Sequence, residues 1–440
     1  MTEPRPVPSG EDHLPKGSNE THTLVRTVTV AQGTALYVGA VVGGGVLILP
    51  GAAASLAGPA SLVAWGIDCA LGIPLALTFA ALAATFPDAG GVATYVTRAF
   101  GSYAGAVVGW FYWVAVANGQ IILPLTGAYY VGSALRLDRE GVFLLATAIL
   151  AIATTANLRG LQLSGRMQLL LSAAVVVLLV AAATAAAPRI TPAAFTPFTP
   201  KGLAPVGLAA LLLFFACFGW EAVAHLSAEF KNPRRDVPRA TFIAVSVVTL
   251  VYLGVALAVV GTRSYGSPDA DRVAVAGLLA QSFGIGAAMA TAVVAVVISL
   301  GTANTYIAAG SRLGYALARD GSFPRTLARL SATGVPRASI AVIAAVALGG
   351  LLLAYLLGLE AESLVFVSST LGAATYIAAT AAAWKLLRGR GRLFAGISFV
   401  ACVAIFFFGG PSIVIALVVA AASLAFRRLR GRSLAPPSIA

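Results

Sequence analysis

Two acids lie where the surrounding residues leave them no charged partner. Asp68 is embedded in Ala64-Trp65-Gly66-Ile67-Asp68-Cys69-Ala70-Leu71, and Glu221 follows Phe214-Phe215-Ala216-Cys217-Phe218-Gly219-Trp220. A charge at the centre of an apolar span costs ~2.5–3.5 kcal/mol on insertion scales. Glu221 must therefore be protonated, paired or facing water. His225 comes four residues later, on the same face if a helix continues. That spacing fits either a local structural pair or a gate that moves a proton. Asp68 has the same two readings, as a proton carrier or as a partner for a hydroxyl on another helix. Neither acid sits in a nucleophile–base set, a phosphate loop or a metal-ligand spacing. The chemistry on offer is binding and proton movement, with no catalytic residues.

Backbone groups are the second source of chemistry. Gly43-Gly44-Gly45 falls inside an apolar run and is followed by Pro50-Gly51. Each glycine costs a helix roughly 1 kcal/mol relative to alanine. Unwound backbone at membrane depth is tolerated only where it lines a cavity or is buried in protein. Close helix packing through Gly39-xxx-Gly43 is the alternative. Asn118, Gln120, Thr302, Asn304 and Thr305 are also mid-span polar residues, able to touch a ligand or to join helices. Ser368, Ser369 and Thr370 are weaker candidates of the same kind, and Gly101-xxx-Gly105-xxx-Gly109 reads as packing.

The elements that must position these groups are membrane helices. Of the 440 residues, 59% are hydrophobic and 10% charged, and the mean hydropathy is +0.91. A soluble enzyme, a disordered chain and a disulfide-stapled domain are excluded by those numbers. Cys69, Cys217 and Cys402 all lie in apolar runs and read as buried hydrophobes. About 20 apolar residues cross a bilayer. On that rule twelve spans are expected, near 28–56, 60–85, 102–133, 140–157, 166–187, 203–226, 239–261, 284–310, 337–358, 363–386, 393–408 and 411–426. Residues 1–27 read as a disordered polar tail, 188–202 as a Pro-rich outside loop and 427–440 as a basic tail.

The net charge of +13 follows the same layout. With the N-terminus inside, 23 of the 29 Lys and Arg fall on cytoplasmic segments and 6 outside. This is the positive-inside bias, and it places both termini in the cytoplasm. It also explains the charge without nucleic acid.

The interrupted spans are the first and the sixth, five apart. Such a pair marks an inverted-repeat transporter, with spans within 28–187 and 203–386 as the two five-helix halves. N–H groups freed at one break attract a carboxylate, helped by the helix dipole. Freed carbonyls attract an ammonium. A zwitterionic amino acid suits both.

The motifs then resemble those of the amino acid–polyamine–organocation (APC) superfamily. Gly43-Gly44-Gly45-Val46-Leu47-Ile48-Leu49-Pro50 is similar to its G-[SG]-G-[IV]-x-x-x-P signature. Phe86-Pro87-Asp88-Ala89-Gly90-Gly91 through Tyr95 resembles its F-P-x-A-G-G-x-x-x-Y loop. Phe218-Gly219-Trp220-Glu221 resembles its sixth-span break. Glu229 through Ala240 is similar to E-x-K-N-P-x-R-x-x-P-R-A, and Ala318-Arg319-Asp320-Gly321 through Pro324 to its A-R-D-G-x-x-P loop. The stretch Glu221–Pro233 further resembles the bacterial branch that exports methionine and branched-chain amino acids.

The resemblance implies an all-α, LeuT-like polytopic fold: a 5+5 inverted repeat, twelve transmembrane helices, the first and sixth broken, and the last two (387–426) peripheral. It implies that Gly43, Gly44 and Gly45 hold the substrate carboxylate. The amine falls to carbonyls around Val41, Val42 and Phe215 to Phe218. The expected substrate-binding set is thus Val41, Val42, Gly43, Gly44, Gly45, Asn118, Phe215, Cys217, Phe218, Gly219, Trp220 and Thr305. The gating or proton-coupling set is Glu221, His225 and Asp68. One departure stands out. Many sodium-independent members carry a lysine in span five, and here that position falls near Val175. The expected coupling ion is a proton, but it is not inherited from the resemblance.

No Lys or Arg lies mid-span, and the expected wall of Phe214, Phe215, Phe218 and Trp220 is apolar. An acidic or basic substrate side chain would be left unpaired, which is costly. Neutral aliphatic amino acids are therefore expected: methionine, leucine, isoleucine and valine. Efflux across the cytoplasmic membrane is the expected direction. The rival readings are an importer or exchanger of the same fold, and a transporter-like membrane sensor. No metal or cofactor is expected.

Overall fold

The computed structural model describes residues 29–86, 91–161, 165–221, 230 and 232–433. His225, Pro87 to Gly90 and Glu229 lie outside the described residues. Every described regular element longer than one residue is helical. Ten helical stretches are long and apolar enough to cross a bilayer: 49–85, 102–135, 139–158, 166–189, 235–261, 285–319, 337–357, 361–386, 389–409 and 412–429. Large apolar side chains such as Leu144, Val177, Leu250, Val293, Leu352 and Leu417 stand exposed on their outer faces. Lipid is the medium that makes such exposure tolerable.

The two expected spans missing from those ten are the first and the sixth. Helix Val30–Val41 starts on a capping box, in which Thr29 Oγ1 accepts from the Gln32 N–H and the Gln32 side chain accepts from the Thr29 N–H. It stops at Val42 (φ −85°, ψ 71°) and the extended Gly43 (φ −92°, ψ −178°). A tight turn, Gly44–Leu47, leads into helix Leu49–Ala57, where Pro50 falls in the first turn and needs no N–H bond. Helix Ala204–Leu213 tightens into a 3-10 turn, Phe214–Cys217. Phe218 is then extended and Gly219 has φ +116°. Only glycine takes that last conformation without strain.

Packing is paired about these two elements. Helices Ser102–Leu135 and Ile285–Arg319 lie against each other, and both Arg139–Leu158 and Arg337–Leu357 pack on the two of them. Val30–Val41 packs on Pro233–Gly261 and Gly165–Ala186, while Ala204–Leu213 packs on Ser61–Thr85 and Ala361–Leu386. Each of these contacts in the first half thus has a counterpart in the second. Between Gly261 and Ile285 the chain adds two short helices, Pro268–Arg272 and Ala274–Phe283, at one end of the bundle.

Candidate functional site

The second non-helical segment meets the last turn of helix Val30–Val41 backbone to backbone, and the turn after that helix meets the Phe215 ring. A β-carbon on Gly219 would lie 2.3 Å from the Ala40 carbonyl oxygen, and one on Gly45 would lie 2.3 Å from Cε1 of Phe215. A side chain larger than hydrogen is excluded at Gly219, where backbone stands in the way, and at Gly45 it would have to displace the Phe215 ring. The Gly44 N–H donates to Thr302 Oγ1 at 3.2 Å, tying the first segment to helix Ile285–Arg319.

A cavity of ≈ 500 Å³ starts at this crossing. Its inner wall is Ala40, Val42, Gly43, Gly219 and Glu221 on one side and Gly301, Thr302, Thr305 and Tyr306 on the other. It runs to the end of the bundle that carries Gly91 to Ala93 and Arg312. Gly43, Thr302, Thr305 and Tyr306 are only half-buried, so the cavity reaches them mid-bundle. A narrower apolar side pocket of ≈ 40 Å³ shares Gly43, Thr302 and Tyr306 and continues among Gly45, Val46, Ala115, Gly119, Phe215 and Phe218.

The opposite end is closed. The Arg272 guanidinium pairs with Glu360 and lies 4.9 Å from the Tyr129 ring centroid. Lys201 Nζ donates to the Ser55 carbonyl at 2.6 Å, and the Tyr130 hydroxyl donates to the Leu47 carbonyl at 2.9 Å.

Glu221 borders the cavity but is only 5% exposed. Its Oε1 accepts from the Tyr112 hydroxyl at 2.6 Å, and its Oε2 accepts from the Gly219 N–H at 3.0 Å. The Tyr376 hydroxyl also donates to Oε2 and lies 3.0 Å from the Cys217 carbonyl oxygen. One carboxyl therefore joins the sixth-span break to two other helices. Asp68 is elsewhere: it is buried behind the break, and Cys217 Sγ–H points at its Oδ1 from 3.3 Å.

The sequence set divides accordingly. Val41, Val42, Gly43, Gly45, Phe215, Phe218, Gly219, Glu221 and Thr305 border one or both cavities. Gly44 backs onto the same wall through Thr302. The Val41 carbonyl already accepts from Tyr252 Oη at 3.1 Å and from the Gly43 N–H at 3.0 Å. Cys217 faces Asp68, and Trp220 lies against Gly72 on helix Ser61–Thr85, so neither borders the described cavities. Asn118 donates to the Leu364 carbonyl and to Ser368 Oγ, joining two helices. Val175 lines the cavity as an apolar residue. Lys385 is spent on the Ala99 carbonyl, at 2.6 Å.

Sequence reasoning passed over Tyr112, Tyr306 and Tyr376. The available signal was a phenol inside an apolar span, since a buried tyrosine hydroxyl seeks a partner.

A family model described as amino acid permease matches residues 29–429. The chain is 38% identical to the uncharacterized amino acid permease YecA of Bacillus subtilis (strain 168), over 93% of this chain and 97% of that protein. It is 32% identical to the L-methionine/branched-chain amino acid exporter YjeH of Escherichia coli (strain K12), over 86% of this chain and 91% of that one. It is 26% identical to the branched-chain amino acid permease BcaP of Lactococcus lactis subsp. cremoris (strain MG1363), over 73% of this chain and 75% of the relative.

Proposed function

The chain belongs to the amino acid permease family, and on that premise we propose that it is a secondary active transporter of neutral aliphatic amino acids. Methionine, leucine, isoleucine and valine cross the cytoplasmic membrane by alternating access, in the direction of efflux. Twelve spans form a LeuT-like 5+5 repeat in which spans one and six are broken. The paired packing of the two halves supports this topology, as do the two interruptions five spans apart.

One observation carries the reading. Two irregular backbone segments cross at the inner end of a cavity whose side pocket is apolar. Irregular backbone at membrane depth belongs where it lines a cavity. In the turn at Gly44–Leu47 the Gly45 N–H is the group offered to the substrate carboxylate, because the N–H groups of Gly43 and Gly44 already donate to the Val41 carbonyl and to Thr302 Oγ1. The side pocket takes the side chain. Val42 borders the cavity and its carbonyl suits the ammonium better than that of Val41, which already accepts two donors.

With the orientation favoured by the charges, the cavity opens to the cytoplasm and the Arg272–Glu360 end is the closed outer side. Glu221 serves as the proton-linked latch on the sixth break. Among the described residues, the titratable groups facing it are Tyr112, Tyr306 and Tyr376. Asp68, sealed behind the break, is the next carrier if Glu221 is not one.

Labelled methionine flux in proteoliposomes, with imposed proton and sodium gradients, tests the reading. Accumulation that follows the proton gradient supports it. Binding without flux would favour a sensor, and flux driven by sodium alone would reassign the coupling ion.

A further inference from the structure

Gln120 is the one wholly polar side chain among the groups that line the narrow side pocket and cannot turn back to its own helix. It is 0% exposed, and neither Oε1 nor Nε2 has a hydrogen-bond partner among the described residues. The contrast with Asn118, two residues earlier, is instructive. Asn118 spends its Nδ2 donors on the Leu364 carbonyl and Ser368 Oγ, as a helix joint. Thr126, one and a half turns later, is accounted for by the Ile122 carbonyl at 2.9 Å.

A buried amide with both ends unmade carries the desolvation cost of each group with no hydrogen bond to offset it. Native structures leave few such groups without a reason. Here the reason is placed beside it. Gln120 is among the residues that line the side pocket, and its neighbour Gly119, also in the lining, has nothing within 4 Å of where a β-carbon would lie. The pocket also borders Gly45 and Phe215, where the first and sixth segments touch. The remaining lining near Gln120 is Ala115, Val116 and Leu123, all hydrocarbon.

Resting on the transport reading above, we propose that Gln120 is a specificity-determining residue that reads the substrate side chain. Its Nε2 donates to, and its Oε1 accepts from, a hydrogen-bonding atom of a neutral side chain. Substrates carrying such an atom are favoured over hydrocarbon ones of the same shape. Methionine gains over norleucine because its thioether is a weak acceptor. Threonine gains over valine because its hydroxyl both donates and accepts. A net hydrogen bond of ~0.5–1.5 kcal/mol corresponds to roughly 2- to 10-fold in each ratio.

The experiment measures competition against labelled methionine in proteoliposomes for both pairs. It uses the wild-type chain, Gln120→Leu and Gln120→Met. The wild type should favour methionine over norleucine and threonine over valine, and both variants should bring each ratio towards one or reverse it. Equal ratios within the wild-type pairs overturn the proposal without recourse to any variant. Ratios that persist unchanged in a folded variant overturn it as well. A wild type that moves none of the four amino acids instead removes the transport reading on which the proposal rests.

Discussion

Gly219 and Ala40 cross so closely that a β-carbon on the first would sit 2.3 Å from the carbonyl oxygen of the second. Two requirements meet at Gly219: the contact, and a φ of +116°. Gly219→Ala should cost about 2–5 kcal/mol, from overpacking and backbone strain together. Thermal unfolding of the purified protein should show a clearly lowered midpoint. An unchanged midpoint would mean that the two segments are not held against each other.

Glu221 ties the sixth-span break to Tyr112 and Tyr376. Glu221→Gln keeps the shape but removes the proton site. Substrate binding should stay within roughly a few-fold, since one rearranged hydrogen bond is worth about 1 kcal/mol. The pH dependence of transport, followed from about pH 5 to 8 where histidine also titrates, should flatten. A variant with the wild-type pH profile would take Glu221 out of coupling and turn attention to Asp68. Poor folding with the profile intact in the surviving fraction would give Glu221 a purely structural part.

Arg272 joins the short helix Pro268–Arg272 to Glu360 and to the Tyr129 ring. The pair is partly exposed, and exposed pairs contribute only about 0–1 kcal/mol. Arg272→Ala should therefore shift the inward–outward balance by no more than roughly tenfold, counting the lost ring contact as well. A Thr302→Cys reporter in the cavity wall should react faster with a membrane-impermeant thiol reagent added outside. No change in that rate would show that the outer closure rests on other contacts.

Much of this was legible in the chain, and the exceptions have one physical source. Apolar length and charge punctuation placed most long helices to within a few residues, as with 337–357 against the expected 337–358, whereas 285–319 runs nine residues past the expected 284–310. The run Gly43 to Gly45 marked the first interruption, and the single Gly219 beside Glu221 marked the second. What the sequence could not resolve is which way side chains face once the helix stops. From Cys217 to Glu221 no helical or strand period applies. Phe218, Gly219 and Glu221 border the cavities while Cys217 and Trp220 turn to helix Ser61–Thr85. Asn118 and Gln120 looked alike for a related reason, because only the neighbouring helix decides which amide is spent. The tyrosine cluster on Glu221 joins residues more than a hundred positions apart, and no local pattern encodes that.

The most direct test places a side chain at Gly45, where a β-carbon would meet the Phe215 ring at the mouth of the side pocket. Labelled methionine uptake into proteoliposomes is compared for wild type and Gly45→Leu, with methionine binding measured on the same purified proteins and folding checked by thermal unfolding. The wild type should accumulate methionine, with leucine, isoleucine and valine competing within the ~1–3 kcal/mol that one methylene is worth, and arginine and glutamate not competing. Folded Gly45→Leu should lose both binding and uptake. A folded Gly45→Leu protein that binds methionine with unchanged affinity, or a wild type on which arginine competes as well as leucine, would contradict the account.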